Sequence, residues 1–337
     1  MAVELKTFDE CIAEAGKDPH LMLGNGFSRG AFKDIFNYTQ LANGIKNPEI
    51  KELFKKIDTT DFEYVMSKLL QAIDVLKAYE GTEMLVDKLE KDEESLKEIL
   101  IEVIAESHPP TPNSITKKQY LSCYEFLQHF ESGRKYTFNY DLILYWVYMH
   151  FMNDKERPLK PNDGFRTDIE NDTMVTWQVH NDFEQKIFYL HGAMHIFKHQ
   201  ATIEKYTWIN TGVPIAKQVK KAIEHNKLPV FISEGSKIHK HKRIMENGYL
   251  IRVLASMKRI GGSLFIYGHS LRDEDDHVFD LVNRSKVTKV FISLFGDENS
   301  SNNQKIIQKV DKWKELYPNK EYTLYRAESA QVWDRYA

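Results

Sequence analysis

"HLMLGNGFSRG", residues 20–30, joins a short apolar run to three closely spaced glycines. The run at 20–23 predicts a buried strand, and Gly24, Gly26 and Gly30 follow it at GxGxxxG spacing. Glycines between a strand and a helix let the backbone approach a pyrophosphate group, and the N-terminus of the helix favours negative charge. However, the spacing departs from GxGxxG, and no acidic residue ends a clear second strand about 20 residues later. The stretch alone therefore fits either a structural turn or a phosphate site.

The composition is that of a soluble globular protein without a strong charge bias. The chain has 337 residues, 42% of them hydrophobic and 28% charged, and its net charge of −3 does not indicate attraction to nucleic acid or membranes. The first ten residues lack the apolar segment of a secretory signal, and no apolar run reaches the about 20 residues of a membrane span. Cys11 and Cys123 are too few for a disulfide framework or a four-cysteine zinc site. We therefore expect a cytoplasmic protein.

Short apolar runs recur along the chain and define the expected fold class. After 20–23 they lie at 135–138, 186–190, 229–232, 263–267, 288–294 and 321–325. Because they are apolar throughout and do not alternate, they predict strands buried on both faces, as in parallel sheets. Helical patterns between them indicate βαβ units. The prediction is a single α/β domain over 1–337 with a Rossmann-like, mostly parallel, doubly wound sheet.

The long interval between the first two runs predicts a helical insertion over about 40–131. Apolar residues between 61 and 79 recur at three- and four-residue intervals, which is the pattern of one helical stripe. A second helical stretch ends at the prolines of 108–113, since proline cannot continue a helix. A smaller irregular excursion is expected over about 153–183.

Polar residues follow three of the predicted strands, at the edge where open α/β sheets place ligands. Asn139 and Asp141 follow the second strand, His191 and Gly192 follow the third, and residues 268–270 follow a later one. Ordinary structural interpretations stay open for each group. Asn139 could support a turn, Asp141 could cap a helix, and His191 could be a hydrogen-bonded core histidine.

Three further patterns have ordinary explanations. The pair His191 and His195 has the HxxxH spacing of metal ligands, but it lacks the glutamate of HExxH and follows a turn, so no metal is predicted. The acidic residues 273–276 are expected to open a helix, where the dipole favours carboxylates. The basic end of 229–243 could bind phosphate or a partner, although a charge run is usually a solvated face.

The order of these motifs resembles the NAD-binding fold of sirtuins. The elements are Gly24 to Ser28 (GNGFS), Thr137 to Asp141 (TFNYD), His191-Gly192, Pro229 to Glu234 and Gly268 to Leu271 (GHSL). The chain is most similar to bacterial sirtuin-like proteins that hydrolyse NAD in anti-phage defence, and within them to a family long labelled as of unknown function. Its phrases DFE (61–63), DGF (163–165) and YLHGAMH (189–195) are near-copies of that family's. The resemblance covers essentially the whole chain.

The resemblance implies a site without a metal in which NAD is the substrate. By analogy His191 is the base near the ribose hydroxyls, Asn139 orients the sugar or water, and Asp141 holds the carboxamide. The pyrophosphate would contact Ser28 and the backbone of 24–26, while the adenosine end would contact the turn after the later strand. The full binding set implied is Gly24, Asn25, Gly26, Phe27, Ser28, Tyr140, Glu234, Gly268, His269 and Ser270. Tyr140 stands where sirtuins usually have an apolar residue.

Two departures from sirtuins favour a plain NAD hydrolase over a protein deacylase. The chain cannot supply the four-cysteine zinc ribbon, and no clear copy of the GIPDFR loop follows the first glycines. The expected function is an NAD glycohydrolase that depletes NAD in infected cells (abortive infection). The alternatives are a non-catalytic NAD- or ADP-ribose-binding module of a defence complex, and an NAD-dependent deacylase or ADP-ribosyl transferase. Control is expected from self-association, from occlusion by the insertion, or from a separately encoded regulatory or sensor protein such as an ATPase.

Overall fold

The structure is a computed structural model that describes residues 4–33, 35, 45, 47–160, 162–168, 171–178, 185–207, 212–225, 227–233 and 237–336. The helices are α1 (Phe8–Ala15), α2 (Asn25–Ala31), α3 (Pro48–Ile57), α4 (Phe62–Leu76), α5 (Glu83–Ser107), α6 (Lys117–Gln128), α7 (Ile143–Phe151), α8 (Ile215–Glu224), α9 (Lys237–Met245), α10 (Gly248–Met257), α11 (Asp276–Arg284) and α12 (Ser301–Leu316). The strands are β1 (His20–Leu23), β2 (Lys135–Thr137), β3 (Phe165–Asp168), β4 (Asn171–Trp177), β5 (Ile187–Tyr189), β6 (Gly192–His199), β7 (Thr202–Tyr206), β8 (Pro229–Phe231), β9 (Gly261–Tyr267), β10 (Lys286–Leu294) and β11 (Glu321–Arg326). Short 3-10 helices span Pro112–Ser114, Asp273–Asp275 and Ala327–Ala330.

A six-stranded parallel sheet, flanked by helices, forms the centre of the fold. Its strand order is β11-β10-β9-β1-β2-β5, and every neighbouring pair is parallel. The chain proceeds from β1 outward to β2 and β5, then returns to the other side of β1 and continues through β9, β10 and β11. The order therefore reverses between β1 and β9, and open α/β sheets bind ligands outside the carboxyl ends of their strands at such a point. The predicted α/β class with a Rossmann-like parallel sheet is confirmed.

Complete burial explains why the strands of this sheet are continuously apolar. Leu21, Met22 and Leu23 of β1 have no exposed surface, and neither do Phe265 and Ile266 of β9. The register pairs Leu21 with Phe265 and Met22 with Ile266. Side chains on both faces of these strands are thus removed from water, as the absence of alternation in the sequence predicts.

A second, antiparallel sheet corrects two of the expectations. Its order is β3-β4-β7-β6-β8. The prediction that 229–232 belongs with the parallel strands is wrong, because β8 pairs with β6 at the edge of the second sheet. Pro229 begins this strand, and proline has no N–H to donate, so an edge position suits it. The excursion expected as irregular over 153–183 contains the hairpin of β3 and β4, although parts of it lie outside the described residues.

The predicted helical insertion over about 40–131 contains α3, α4, α5 and α6. Helix α4 buries Phe62, Val65, Met66, Leu69 and Ile73, which are members of the predicted stripe. Asp61 caps this helix by accepting hydrogen bonds from the N–H groups of Glu63 and Tyr64. Residues 40–44 and 46 lie outside the described part of the chain. None of the helices in the described ranges is both long enough and apolar enough to cross a membrane.

The chain passes from the parallel sheet to the second sheet through a tight turn at His191 and Gly192. Gly192 has φ +83° and begins β6. A Cβ atom at this position would lie 2.0 Å from the carbonyl oxygen of Val230 in β8. Glycine is therefore required both by the backbone conformation and by the close approach of β8.

Gly192→Ala is expected to destabilise the protein by about 2–4 kcal/mol, because it adds left-handed strain and displaces β8. Urea unfolding followed by circular dichroism measures this change. The matched control is Gly81→Ala, because Gly81 also has positive φ (+77°) but no atom within 4 Å of the added Cβ. Gly81→Ala should therefore show the backbone strain alone, and an equal loss in both variants would contradict the contact with β8.

Candidate active site

Four loops meet at the carboxyl edge of the parallel sheet. They follow β1, β2, β5 and β9, and they contain residues 24–28, 138–141, 190–192 and 268–271. Parallel strands have their carboxyl ends on the same side, so these loops lie next to one another. They include most of the residues that the sequence analysis selected.

The loops after β1 and β9 contact each other through their glycines. The N–H of Gly26 donates to the carbonyl oxygen of Gly268 at 2.8 Å. A Cβ atom on Gly24 would lie 2.6 Å from that oxygen, and one on Gly26 would lie 2.6 Å from the Cα of Gly268. Gly268 itself has φ +67°. The glycines thus permit backbone-to-backbone contact at the point where the strand order reverses. The contact of the loop after β1 with a pyrophosphate stays a prediction.

Asn139, Ser28 and Asp141 form a buried hydrogen-bond chain beside these glycines. The side-chain amide of Asn139 donates to Ser28 Oγ at 2.8 Å and to the carbonyl oxygen of Gly24 at 3.0 Å. Ser28 Oγ donates to Asp141 Oδ2 at 2.5 Å. The other oxygen of Asp141 accepts from the N–H of Ile143, the first residue of α7, at 2.8 Å, although the N-cap of that helix is Leu142 and not Asp141. The backbone of Gly24, the side chain of Ser28 in α2 and the side chains of the loop after β2 are therefore fixed relative to each other.

The amide oxygen of Asn139 is the unsatisfied atom in this arrangement. Asn139 is 3% exposed, and its Oδ1 accepts no hydrogen bond from the described residues. A buried amide oxygen without a partner is costly, commonly by about 1–3 kcal/mol. Because both N–H groups of the same amide donate hydrogen bonds, the amide cannot flip without losing those two hydrogen bonds. The site thus presents a fixed hydrogen-bond acceptor to a ligand or to water.

The carboxyl group of Asp141 has an unusual pKa. Burial raises its pKa to about 6, although the hydrogen bonds from Ser28 and from the backbone of Ile143 act in the opposite direction. Burial disfavours the ionised form because a charge loses its hydration. Asp141 is therefore ionised at neutral pH and becomes protonated in mildly acidic solution.

His191 is a buried, neutral histidine at the end of β5. Burial is the main cause that lowers its pKa well below the usual value, and the positive charge of Lys240 acts in the same direction. The Nε2 atoms of His191 and His277 are 3.2 Å apart. His277 Nδ1 lies 3.2 Å from the carbonyl oxygen of Glu274, so that nitrogen must be the donor. Its Nε2 then accepts from His191 Nε2–H, which leaves the lone pair of His191 on Nδ1.

A buried group of charges lies beside His191, and we call it the Lys240 cluster. Lys240 Nζ is 2.9 Å from Asp275 Oδ1 and 3.2 Å from Glu63 Oε2. The second oxygen of Asp275 lies 3.3 Å from His269 Nε2. The cluster therefore comprises Lys240, Glu63, Asp275 and His269. It joins helix α4 of the insertion to α9 and to the loop after β9.

The charges within the Lys240 cluster stabilise one another. Burial alone would lower the pKa of Lys240, but the carboxylates of Asp275 and Glu63 more than offset this and raise it. Burial likewise opposes the ionisation of Asp275, yet Lys240 and the hydrogen bond from His269 hold its pKa well below the usual value. For Glu63 the effect of burial is larger than the attraction of Lys240, so its pKa is raised.

Comparison with protein families gives one result that covers nearly the whole chain. The family described as a domain of unknown function, DUF4917, matches residues 21–333. The chain belongs to this family. The match includes all four loops of the candidate site and the complete Lys240 cluster. No protein of curated function matches the chain. Since the family description states no activity, the function of this DUF4917 protein has to be argued from its site.

The two groups of side chains in the DUF4917 site are neighbours. The ring of Phe138, which precedes Asn139, lies 5.0 Å from the ring of His191 and 4.3 Å from that of His269. The backbone of Gly24 also packs against His269, because a Cβ on Gly24 would lie 2.7 Å from the Cα of His269. The structure thus brings Asn139, Ser28 and Asp141 into one group and His191 and His269 into the next.

The remaining predicted binding residues have different surroundings. Phe27 is fully buried against Trp333, and the hydroxyl of Tyr140 donates to the carbonyl oxygen of Ile232 at 2.6 Å. Asn25 is half-buried and Ser270 is exposed. Glu234 lies outside the described residues. The HxxxH pair does not form a unit, because His195 packs against the rings of Tyr145 and Tyr189 while His191 faces His277.

Sequence reasoning missed Lys240, Asp275, His277 and Glu63. Lys240 belongs to the basic run for which a solvated face was the ordinary interpretation, yet it is 1% exposed. Asp275 belongs to the acidic group expected to open α11. Its N–H donates to the carbonyl oxygen of Arg272, and its carboxylate faces Lys240. The phrase DFE was the available signal, since it contains Glu63 and the cap of α4.

The helical insertion is tied directly to the loops of the site. Besides the contact of Glu63 with Lys240, Asp61 pairs with Arg272 at 2.5 Å. Ser233 Oγ, which follows β8, donates to the sulfur of Met66 in α4 at 3.6 Å. The four side chains expected to act on a substrate are each 3% exposed or less: Ser28, Asn139, Asp141 and His191. The site is therefore closed in this structure.

Proposed function

We propose that this DUF4917 protein is an NAD glycohydrolase. Water replaces nicotinamide at the anomeric carbon of the ribose, and the products are nicotinamide, ADP-ribose and a proton. The observation that carries the proposal is the buried Asn139 amide oxygen, which is fixed and unpartnered beside the point where the strand order reverses. Dinucleotides bind at this point in sheets of this order, which supports a role of this acceptor in holding the ribose.

The chemistry of the leaving group fits the residue types of the site. Nicotinamide in NAD is cationic and departs as a neutral molecule, so the reaction needs no carboxylic acid of the kind that glycosidases use. It needs a held ribose, a positioned water and stabilisation of positive charge on the sugar. Asn139 Oδ1 can accept a hydrogen bond from a ribose hydroxyl or from the water. His191 is neutral and carries a lone pair on Nδ1, so it can take up the proton.

Asp141 and Ser28 act as positioning residues in this proposal. Asp141 orients the hydroxyl of Ser28, which in turn accepts from the amide of Asn139. The likeness to sirtuins implies that Asp141 contacts the carboxamide and that Ser28 contacts the pyrophosphate. Both contacts stay predictions, because they require these side chains to give up the hydrogen bonds that they make in this structure. The parallel sheet supports the likeness at the level of fold class.

The closed site supports a regulated enzyme. An enzyme that hydrolyses NAD without restraint would kill the cell that makes it. We propose that the protein depletes cytoplasmic NAD during phage infection, and that the helical insertion covers the site until a trigger displaces it. Self-association or a separately encoded regulatory protein would supply the trigger. A purified monomer that hydrolyses NAD at full rate without any trigger would contradict this control.

The direct test follows products and binding together. The full chain and its Arg272→Ala variant, in which the exposed pair with Asp61 is lost and the insertion is loosened, are incubated with NAD. We expect equimolar nicotinamide and ADP-ribose, released faster by the variant. Acyl-ADP-ribose formed with an acylated peptide, or ADP-ribose on protein, would replace the proposal with a deacylase or a transferase. NAD binding without turnover in both forms would indicate a binding module, and the absence of binding would reject an NAD site.

The pKa of Asp141 gives a pH dependence. Nicotinamide release is expected to fall as the pH decreases through about 6, because the protonated carboxyl no longer holds the hydroxyl of Ser28 in its accepting orientation. His191 is already neutral throughout this range and contributes no transition. In Asp141→Asn the rate should be low and flat across the same range. A transition of unchanged midpoint in that variant would assign the pH dependence to another group.

A further inference from the structure

Two histidines and one aspartate converge beside the hydrogen-bond chain of Asn139. His191 Nε2 lies 3.2 Å from His277 Nε2 and 3.7 Å from Asp275 Oδ1. One potential ligand atom from each of the three residues lies within 4.8 Å of the other two, and all three residues are buried. They come from the loop after β5, the 3-10 helix Asp273–Asp275 and the first turn of α11, so only the folded chain brings them together.

The separations match those between ligands of a tetrahedral metal ion. Zinc lies about 2.0–2.1 Å from imidazole nitrogen, which places two ligand atoms of a tetrahedron about 3.3 Å apart. The two imidazole nitrogens already have this separation, and Asp275 Oδ1, 3.7 Å from His191 Nε2, would have to come closer by a few tenths of an ångström to that atom. A hydrogen bond alone also explains the separation of the two nitrogens, so the surrounding groups decide whether a metal ion fits.

The surrounding groups are those that orient metal ligands. Metal-binding histidines usually donate their other N–H to a carbonyl or carboxylate, and bound carboxylates are themselves hydrogen-bonded. His277 Nδ1 contacts the carbonyl oxygen of Glu274 at 3.2 Å, and its Nε2 therefore carries the lone pair. The second oxygen of Asp275 faces His269 Nε2 at 3.3 Å. Two of the three candidate ligands are thus oriented by hydrogen bonds from their other polar atoms, as the ligands of bound metals are.

Lys240 is the competitor for this position. Its ammonium group contacts the same Asp275 oxygen that would bind a metal. Glu63 also contacts Lys240 and balances its charge, so the two carboxylates leave one negative charge in excess. A divalent ion can therefore replace Lys240 at Asp275 while Lys240 remains paired with Glu63.

We propose that His191, His277 and Asp275 bind a divalent transition-metal ion of the zinc class, and that the bound ion blocks the base of the site. The metal takes the Nε2 lone pair of His277 and an oxygen of Asp275. At His191 the ring proton moves from Nε2 to Nδ1, and Nε2 binds the ion. Nδ1 then carries a proton and cannot accept one. The blocking effect rests on the proposed NAD hydrolysis, whereas the binding of the ion does not.

The test uses cobalt as a spectroscopic probe of the full, chelator-treated chain. We expect one Co²⁺ per chain with the visible absorption of a four-coordinate ion, displaced by Zn²⁺. His277→Gln should weaken binding at least about tenfold, since loss of even an outer partner of a metal site costs about 10–100-fold. Asp275→Asn should act likewise if it folds. His199→Gln, at the exposed end of β6, is the matched control and should bind as the wild type does.

The outcomes separate the two proposals. Cobalt binding that is absent, or that is unchanged in His277→Gln, would overturn the metal site. Nicotinamide release by the zinc-loaded wild type at the metal-free rate would overturn the blocking effect. Cobalt binding as expected, with no nicotinamide released by any form of the chain, would support the metal site and reject the NAD glycohydrolase.

Discussion

Asn139→Ala is expected to lower nicotinamide release at saturating NAD by about 100-fold or more. The substitution removes the fixed acceptor for the ribose or the water, and misplacement of a reacting group by about 1 Å can cost about 100-fold in rate. It also removes the donor that Ser28 Oγ and the carbonyl oxygen of Gly24 share. A loss of stability of about 1–3 kcal/mol should therefore accompany the loss of activity. Steady-state nicotinamide release and urea unfolding measure the two effects separately.

Asn303→Ala provides the matched control. Asn303 is also a buried asparagine, and its amide donates to two backbone carbonyl oxygens, those of Phe295 and Asp297, both at 2.8 Å. Its loss should cost similar stability without a comparable change in rate. If the two variants lose activity in parallel with their stability, Asn139 has a structural role. Retention of the wild-type rate by both Asn139→Ala and His191→Ala would reject the site assignment.

The sequence predicts those parts of the site that depend on position along a parallel strand. Apolar runs identify β1, β2, β5 and β9, and the carboxyl ends of such strands meet at one edge whatever the connections between them. The grouping of Asn139, Asp141 and Ser28 follows from this rule together with the glycines after β1. The exact partners do not follow, because an asparagine amide has several donors and acceptors that only the packing assigns.

The Lys240 cluster could not be predicted in the same way. Glu63 and Lys240 are 177 residues apart in sequence. Lys240 lies in a basic run of the kind that is common on solvated helix faces, and Glu63 is a single carboxylate in the first turn of α4, where acidic residues are ordinary. Their burial depends on how the insertion packs against α9, which no local pattern encodes. The second sheet was missed for a related reason. A three-residue run such as β8 shows that a strand forms, but it does not show which neighbour provides the hydrogen bonds.

Lys240→Met is expected to destabilise the protein by about 3–5 kcal/mol, because it leaves the buried carboxylate of Asp275 and the half-buried carboxylate of Glu63 without their cation. Methionine keeps an unbranched apolar stem of similar volume, so the loss of the ammonium group is the main change. Lys237→Met is the control on the same helix. Lys237 pairs with Asp280 at the surface, and exposed ion pairs contribute about 0–1 kcal/mol. Urea unfolding at neutral pH compares the two variants with the wild type.

The pH dependence of this loss distinguishes charge from packing. Without Lys240, the folded-state pKa of Asp275 should rise above its unfolded value and that of Glu63, which is already raised, should rise further, so ionisation of both carboxyls opposes folding at neutral pH. As the pH falls, the two groups become protonated and the difference between Lys240→Met and wild type should shrink. Combining Lys240→Met with Glu63→Gln and Asp275→Asn should restore part of the stability at neutral pH, because the amides carry no charge that opposes folding. A difference that stays constant as the pH falls would assign the loss to packing at α9, and the insertion would then be held to the site by shape and not by charge.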